Sequence, residues 1–362
     1  MIVAVIDVMK RFLCALSALM MMLFIGSCSR SAVPQMTGGD DDPKLTVHFI
    51  DVGEGDCTLL ESDDEFVLID AGERDYGEEV LRYIEDQGAD ELKYMIATHP
   101  HSDHVGGLRT VIDGMDTENF ITVSCDSDTY TWEKLMRAVD RNSINMIEAE
   151  AGTTYSFGKA SLTIMAPLSR DEENYNNLSV VTRVVCGDIS FLIEADAERE
   201  SEYEMVDAGE TLSADVIRCG HHGSSDASSD KLLKAVNPAF GVASCGEGNE
   251  YGHPHRETVQ KFETMGCPLL RTDEAGTIVA YTDGRNLRFE AEKTDLSSYT
   301  YTAGEEKHTA EKLKYIGNKN SLYFHYSDCD GAMDMKEKNK VYLDSRDDAV
   351  AQGYTPCPGC QP

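Results

Sequence analysis

Seven of the ten histidines fall in three short groups: His99, His101 and His104; His221 and His222; His253 and His255. Histidines satisfied singly in a core would be scattered. Grouped around a carboxylate, they have the composition of a metal site, because neutral imidazole and carboxylate suit borderline divalent ions. The first group reads Thr98-His99-Pro100-His101-Ser102-Asp103-His104, with four potential ligands in six residues. At the end of an extended segment, residues two apart project to one side, so His99 and His101 can share one ion. The chain then turns, and Asp103 with His104 can face a second ion. Gly106-Gly107 lets the backbone enter the following helix without a Cβ clash.

Such ligands need strand ends to hold them. Short β-like runs begin at Leu45–Val52, Cys57–Glu61, Phe66–Ile69 and Tyr94–Thr98. They continue through Ser161–Met165, Ser190–Ile193, Asp215–Cys219, Ala239–Ser244, Thr277–Tyr281 and Leu287–Glu290. Apolar residues at three-to-four spacing predict helices over Tyr76–Asp86, Trp132–Val139, Lys231–Val236 and Thr258–Met265. Hairpins first and strand–helix alternation later suit two sheets packed face to face with helices outside.

The H-x-H-x-D-H string resembles the hallmark of the metallo-β-lactamase fold superfamily. His48-Phe49-Ile50-Asp51-Val52-Gly53-Glu54-Gly55-Asp56, His221-His222-Gly223-Ser224 and Tyr251-Gly252-His253-Pro254-His255 narrow the likeness to the nuclease domain of ComEC-type competence proteins, over roughly residues 45–292. The resemblance implies an α/β fold, a four-layer αββα sandwich. It also implies two divalent metal ions, Zn or Mn, held by His99, His101, Asp103, His104, Asp196 and His221. Asp196, at the end of the run Phe191–Ala195, would bridge the ions, with Glu194 two residues earlier as its competitor. Asp70 would support the metal loop, and His222 would approach the substrate as acid/base or phosphate contact. With the metal-bound Asp103 and Asp196, it completes the expected catalytic set. His253 is a rim residue or reaches the site. Many superfamily members supply a further His before the bridging Asp; here the segment is Asn174-Tyr175-Asn176-Asn177-Leu178-Ser179. Asn177 or water would fill that gap, leaving a weaker first site that a harder ion such as Mn²⁺ can also occupy.

Two cations sharing a carboxylate and a water lower that water's pKa, so that a metal-bound hydroxide forms near neutral pH. The same charges suit phosphodiester hydrolysis, and the expected activity is that of a phosphodiesterase or nuclease. A lactam, lactone or thioester could use the same centre, and a cell-surface binding protein with a degenerate metal site is the non-enzymatic alternative. Composition limits how nucleic acid could be held. With 32 Lys+Arg against 65 Asp+Glu, the net charge is −33, nearly all of it in residues 45–312. Such a surface excludes a passive basic platform for nucleic acid or anionic lipid. Screening confines the repulsion to about 8 Å at physiological salt, so local metal charge can dominate at the site.

The termini read differently. Lys10-Arg11 precedes an apolar run, Phe12 to Ile25, too short for a comfortable membrane span but right for a signal-peptide core. Ile25-Gly26-Ser27-Cys28 resembles a bacterial lipobox, making residues 1–28 a lipoprotein signal and Cys28 the lipid anchor at the membrane. A plain N-terminal membrane helix is the alternative, and both predict an extracytoplasmic protein. Residues 29–44 read as a flexible tether and residues 293–312 as a polar linker. In residues 313–362, His325, Cys329 and the pair Cys357 and Cys360 have the spacing of a small zinc module. This end resembles the Ada-type zinc-binding domain, with Met333 where the prototype has a Cys and His325 as its substitute. A Cys357–Cys360 disulfide with Cys329 free is the other reading. Related domains bind DNA; protein partners are not legible.

Overall fold

Alternation along the strands decides which side of each sheet faces the centre. The computed structural model describes residues 43–170, 173–307 and 312–362. The signal segment, Cys28 and the tether up to residue 42 lie outside the described residues. The first sheet contains β1 (Leu45–Phe49), β2 (Thr58–Ser62), β3 (Glu65–Ile69), β4 (Glu91–Ala97), β5 (Asp116–Thr122) and β6 (Asn145–Glu148). The second holds β7 (Thr154–Phe157), β8 (Ala160–Ala166), β9 (Val181–Cys186), β10 (Ile189–Ile193), β11 (Val216–Arg218), β12 (Phe240–Ala243) and β13 (Leu269–Arg271) in the order β13-β12-β11-β10-β9-β8-β7. Three later strands, β14 (Ile278–Thr282), β15 (Asn286–Ala291) and β16 (Thr300–Thr302), return to the first sheet, whose order is β16-β15-β14-β1-β2-β3-β4-β5-β6.

Leu45, Val47 and Phe49 of β1 point between the sheets, where they join Phe191 and Ile193 of β10 and Phe289 of β15 in one core. The opposite face of the first sheet, with Leu59, Leu68 and Met95, is covered by Val80 and Ile84 of α1 (Gly77–Asp86) and by neighbouring helices. Of these, α2 is Ser102–Val105, α3 (Leu108–Gly114) contributes Val111, and α4 (Tyr130–Arg141) contributes Leu135. On the second sheet Leu192 and Ile217 pack against Met205 of α5 (Arg199–Asp207), Leu232 of α6 (Asp230–Val236) and Phe262 of α7 (Arg256–Met265). Both faces of each sheet are thus covered, which is why β10 is buried along its whole length. The result is the αββα sandwich expected from the sequence.

β3, β4, β5 and β6 are parallel neighbours, as are β10, β11, β12 and β13. Ligands in such sheets gather outside the carboxyl ends of the strands. Here those ends deliver Asp70 after β3, His99 after β4, Asp196 after β10 and the His221-His222 pair after β11.

The polar stretch expected as a linker over 293–312 is instead partly folded onto the sandwich. Thr300–Thr302 forms β16 on the edge of the first sheet, pairing Tyr301 with Leu287, and both Leu296 and Tyr301 are buried in the main core. Two apolar side chains in a polar segment suffice for an edge strand with one solvated face. Beyond it, β17 (Tyr315–Asn318), β18 (Tyr323–His325), β19 (Lys340–Leu343) and β20 (Thr355–Pro356) form a separate sheet, order β19-β17-β18-β20. Its small core, with Phe324 and Leu343, is completed by Tyr203 from α5. Among the described residues no helix is long and apolar enough to cross a membrane.

Candidate metal centre

Asp70 leaves β3 with φ 57°, a left-handed conformation that Asp adopts more readily than most residues. Fully buried, it accepts hydrogen bonds from the Thr98 amide at 3.0 Å and hydroxyl at 2.6 Å. Its other contact is with Nδ1 of His104 at 2.8 Å. One carboxylate therefore fixes the loop that follows β4 and turns Nε2 of His104 towards the centre. Gly106 and Gly107 close that loop: a Cβ on Gly107 would lie 2.3 Å from the Ala71 carbonyl, and one on Gly106 2.4 Å from the Arg74 amide nitrogen.

The side chains then gather in two groups. His99, His101 and Asp196 form one, and Asp103, His104, Asp196 and His222 form the other, with ligand atoms within 4.8 Å of one another in each. Asp196 belongs to both. Its Oδ2 lies 3.8 Å from Nε2 of His99, while Oδ1 lies 3.2 Å from Nε2 of His104 and 3.6 Å from Nε2 of His222. Asp103 Oδ2 is 3.2 Å from His222 Nε2, and His99 Nε2 is 3.0 Å from His101 Nδ1. Ser179 supports both groups, its hydroxyl accepting from the Asp196 amide at 3.1 Å and lying 3.3 Å from His99 Nδ1.

Burial, with His104 alongside, pushes His99 well below the ordinary histidine value, so its ring is neutral and has a lone pair to give. Burial pulls His104 the same way, but Asp196 and Asp103 outweigh it and hold that histidine well above its ordinary value. For Asp103, burial alone would raise the carboxyl; His104 and His222 keep it low and ionised. Asp196 Oδ1 and His104 Nε2 are buried, facing each other at 3.2 Å, and neither makes a well-aligned hydrogen bond. Unsatisfied buried donors and acceptors are costly, and a divalent cation on the four-residue group would satisfy these; His99, His101 and Asp196 Oδ2 offer the donor set for another on the first group.

The structure exchanges the positions expected of the adjacent histidines. His222 is buried in the four-residue group, with Nδ1 3.0 Å from the Ser244 carbonyl, whereas His221 lies nearer the mouth with a quarter of its side chain exposed. Both have positive φ, 48° and 54°, and the His221 amide bonds to the Ala195 carbonyl. This tight turn sends the second ring inward and leaves Nε2 of the first 3.7 Å from Asp196 Oδ2. Nδ1 of His221 is 3.3 Å from Oε1 of Glu198. Glu198 is held in turn by amides of Asn174 at 2.8 Å and Asn176 at 2.7 Å, and its own amide donates to Asn177 Oδ1 at 3.2 Å. The Asn-rich segment thus organises Glu198. Glu194 follows the outward alternation of Leu192 and faces Ser228 and Glu202, away from the centre.

His253 reaches the mouth. Its ring centroid lies 5.7 Å from that of His221 and 6.0 Å from that of His222, and its Nδ1 is 2.6 Å from Glu54 Oε1. Sequence reasoning missed three supporting residues: Glu198, Asp56 and Arg218. Asp56 and Arg218 form a buried ion pair behind the histidines, with Asp56 Oδ1 3.3 Å from His222 Nδ1 and Arg218 donating to the Ala195 carbonyl at 2.6 Å. A charged residue inside the otherwise apolar run Val216–Cys219 was the available signal for Arg218.

In the C-terminal module His325, Cys329, Cys357 and Cys360 also lie within 4.8 Å of one another. The Cys360 thiol and His325 hold Cys329 down to about 5 against the opposing effect of burial. All nine described cysteines are free thiols, and Met333 is exposed.

A face-to-face sandwich with a histidine–carboxylate cluster at its strand ends defines a class of metal-dependent hydrolases. The model of the metallo-beta-lactamase superfamily matches residues 50–247, and the chain belongs to that family. Within it the chain is similar to ComE operon protein 3 of Bacillus subtilis, 26% identical over 250 residues, which are 64% of this chain and 32% of that protein. It is also similar to competence protein ComA of Neisseria gonorrhoeae, 27% identical over 238 residues, 63% of this chain and 31% of that one. The chain spans about a third of the length of these relatives. Among solved structures, the metallo-beta-lactamase fold protein YhfI of Bacillus subtilis aligns with TM-score 0.44 and 14% identity, covering 65% of this chain and 99% of that one. The protein is a metal-dependent hydrolase of this fold, related to competence proteins.

Proposed function

We propose that the protein is a phosphodiesterase or nuclease with a dinuclear centre, held outside the cytoplasmic membrane by a lipid on Cys28. The observation that carries this reading is Asp196, whose two oxygens face different ligand groups, His99 on one side and His104 with His222 on the other. His99, His101 and Asp196 would hold one ion, Zn²⁺ or Mn²⁺; Asp103, His104, His222 and Asp196 would hold the second. Bound there, divalent cations supply an activated water and neutralise charge building on a phosphoryl group.

The chain's own residues do the rest. Asp70 orients His104, and the Asp56–Arg218 pair backs His222. His221, braced by Glu198, and His253, braced by Glu54, line the mouth, where they can contact a phosphate oxygen or the departing group. The likeness to competence proteins favours nucleic acid over a carbonyl substrate. In the C-terminal module, His325, Cys329, Cys357 and Cys360 would hold a structural zinc.

The test is hydrolysis of bis-p-nitrophenyl phosphate and single-stranded DNA by the purified protein with Mn²⁺, Zn²⁺ or chelator. Metal-dependent cleavage that disappears in His101→Ala and Asp196→Ala is the expected result. Two bound metals with both diesters untouched would redirect the assignment to a carbonyl substrate, and no bound metal to a binding protein.

A further inference from the structure

Tyr251 opens the Tyr251–His255 motif, has no part in the metal centre, and is 70% exposed. One face lies against His253 at an interplanar angle of 13°, with centroids 5.6 Å apart. An aromatic ring in water at the mouth of a site can stack on a planar partner.

The loop around it is braced on both sides. Asn249 accepts from the His253 amide at 2.9 Å and donates to its carbonyl at 2.7 Å. Glu54 holds the His253 ring with one oxygen and the Gly246 amide with the other, at 2.6 and 2.8 Å. Nδ1 of His255 accepts from the Ser225 amide at 2.9 Å, which leaves Nε2 to donate to the Tyr251 carbonyl at 3.2 Å. Ring spacings of 5.6 and 6.0 Å lead from Tyr251 through His253 to His222, which puts the exposed residue one side chain away from the metal cluster. On the opposite side Tyr175 meets His101 edge-on at 6.3 Å, but it is partly buried against the core and forms a wall.

We infer that Tyr251 is a stacking platform for a nucleobase flanking the scissile phosphodiester, so that the substrate is a single-stranded nucleic acid recognised through its bases. This rests on the phosphodiesterase reading above and deepens it. The chain's charge bears on how that occupant could be held. At net −33 the chain has little capacity to grip a strand through phosphate neutralisation, the usual source of affinity. Stacking needs no positive charge and works with any base, because every base has a π-face.

The experiment compares kcat and KM of the full-length protein and its Tyr251→Ala and Tyr251→Phe variants, with Mn²⁺. The substrates are an oligothymidylate, an abasic oligonucleotide of the same length, and bis-p-nitrophenyl phosphate. Wild type should favour the oligothymidylate over the abasic strand by about 5- to 150-fold, chiefly through KM. Tyr251→Ala should bring that ratio near one, and Tyr251→Phe, which keeps the ring, should preserve it. A ratio unchanged in Tyr251→Ala, or already near one in wild type, overturns the platform while leaving the phosphodiesterase reading intact. Failure of wild type to cleave any of the three overturns both.

Discussion

Lys261 of α7 and Asp328 of the C-terminal module form a buried ion pair, Nζ to Oδ2 at 3.0 Å. Lys261 also donates to the Ser228 carbonyl at 3.0 Å, and Asp328 accepts from the Asp230 amide at 2.8 Å. Ser327 answers by donating its amide to Asp230 Oδ2 at 3.1 Å. Asp328→Ala would take from the buried Lys261 the carboxylate it is hydrogen-bonded to, leaving Asp230 and Glu202 as its acidic neighbours, at a cost of up to about 3–5 kcal/mol. Replacing both partners with apolar residues, Lys261→Met with Asp328→Leu, should recover most of it. Urea unfolding of the three variants measures this, and a loss below about 1 kcal/mol in Asp328→Ala would mean that the pair is not sealed from water.

The same pair sets an acid response. Burial would raise the Asp328 carboxyl, but Lys261 and the Asp230 amide hold it below its ordinary value. A carboxyl depressed on folding stabilises the native state above its unfolded value of about 3.9, and that contribution is lost as pH falls through the folded value. Asp230 is raised, chiefly by burial and by Asp328, and contributes with the opposite sign. The stability difference between wild type and Asp328→Asn reports Asp328 together with its coupling to Asp230. It should be full at pH 7 and shrink below about pH 4. A difference that stays flat to pH 2.5 or grows would refute the assignment.

Much of the sandwich was legible because its inner strands are short apolar runs bounded by turns. All ten expected runs carry strands, and the four expected helices are present within a few residues of each end. β5 escaped because Asp116-Thr117-Glu118-Asn119 masks the three buried residues that follow. β9 escaped because Arg183 interrupts its apolar pattern. At the site, ligand types and strand-end positions were readable, since H-x-H-x-D-H encodes them locally. The order of His221 and His222 was not, because two positive φ angles and a long-range contact with the Ser244 carbonyl decide which ring turns inward. The pairing of Asp56 with Arg218 was not readable for the same reason, as it joins residues far apart in sequence.

That exchange makes a prediction about metal content. His222 lies with Asp103, His104 and Asp196, so His222→Ala should lower the second site's affinity sharply and leave close to one ion in the main domain after dialysis. His221→Ala should retain two ions, because His221 stands outside both groups, and should lose turnover instead. Metal analysis of the two variants beside wild type is decisive. Two ions in His222→Ala with one in His221→Ala would restore the order expected from the sequence.

The C-terminal cluster offers a separate count. His325, Cys329 and Cys360 are buried and, with Cys357, present one nitrogen and three sulfurs at mutual distances a single tetrahedral ion can span. Cys329 is the informative position. In a zinc site it is an ordinary ligand, and Cys329→Ser should remove one equivalent of zinc while the two ions of the main domain stay bound. With a Cys357–Cys360 disulfide, Cys329 would be a bystander and the metal count would not change. Because Asp328 is its immediate neighbour and pairs with Lys261, loss of the ion should also loosen the module's seat on α7. Limited proteolysis should then cut the C-terminal module of Cys329→Ser first, before the sandwich is touched. An unchanged zinc count together with wild-type resistance would assign Cys357 and Cys360 to the disulfide.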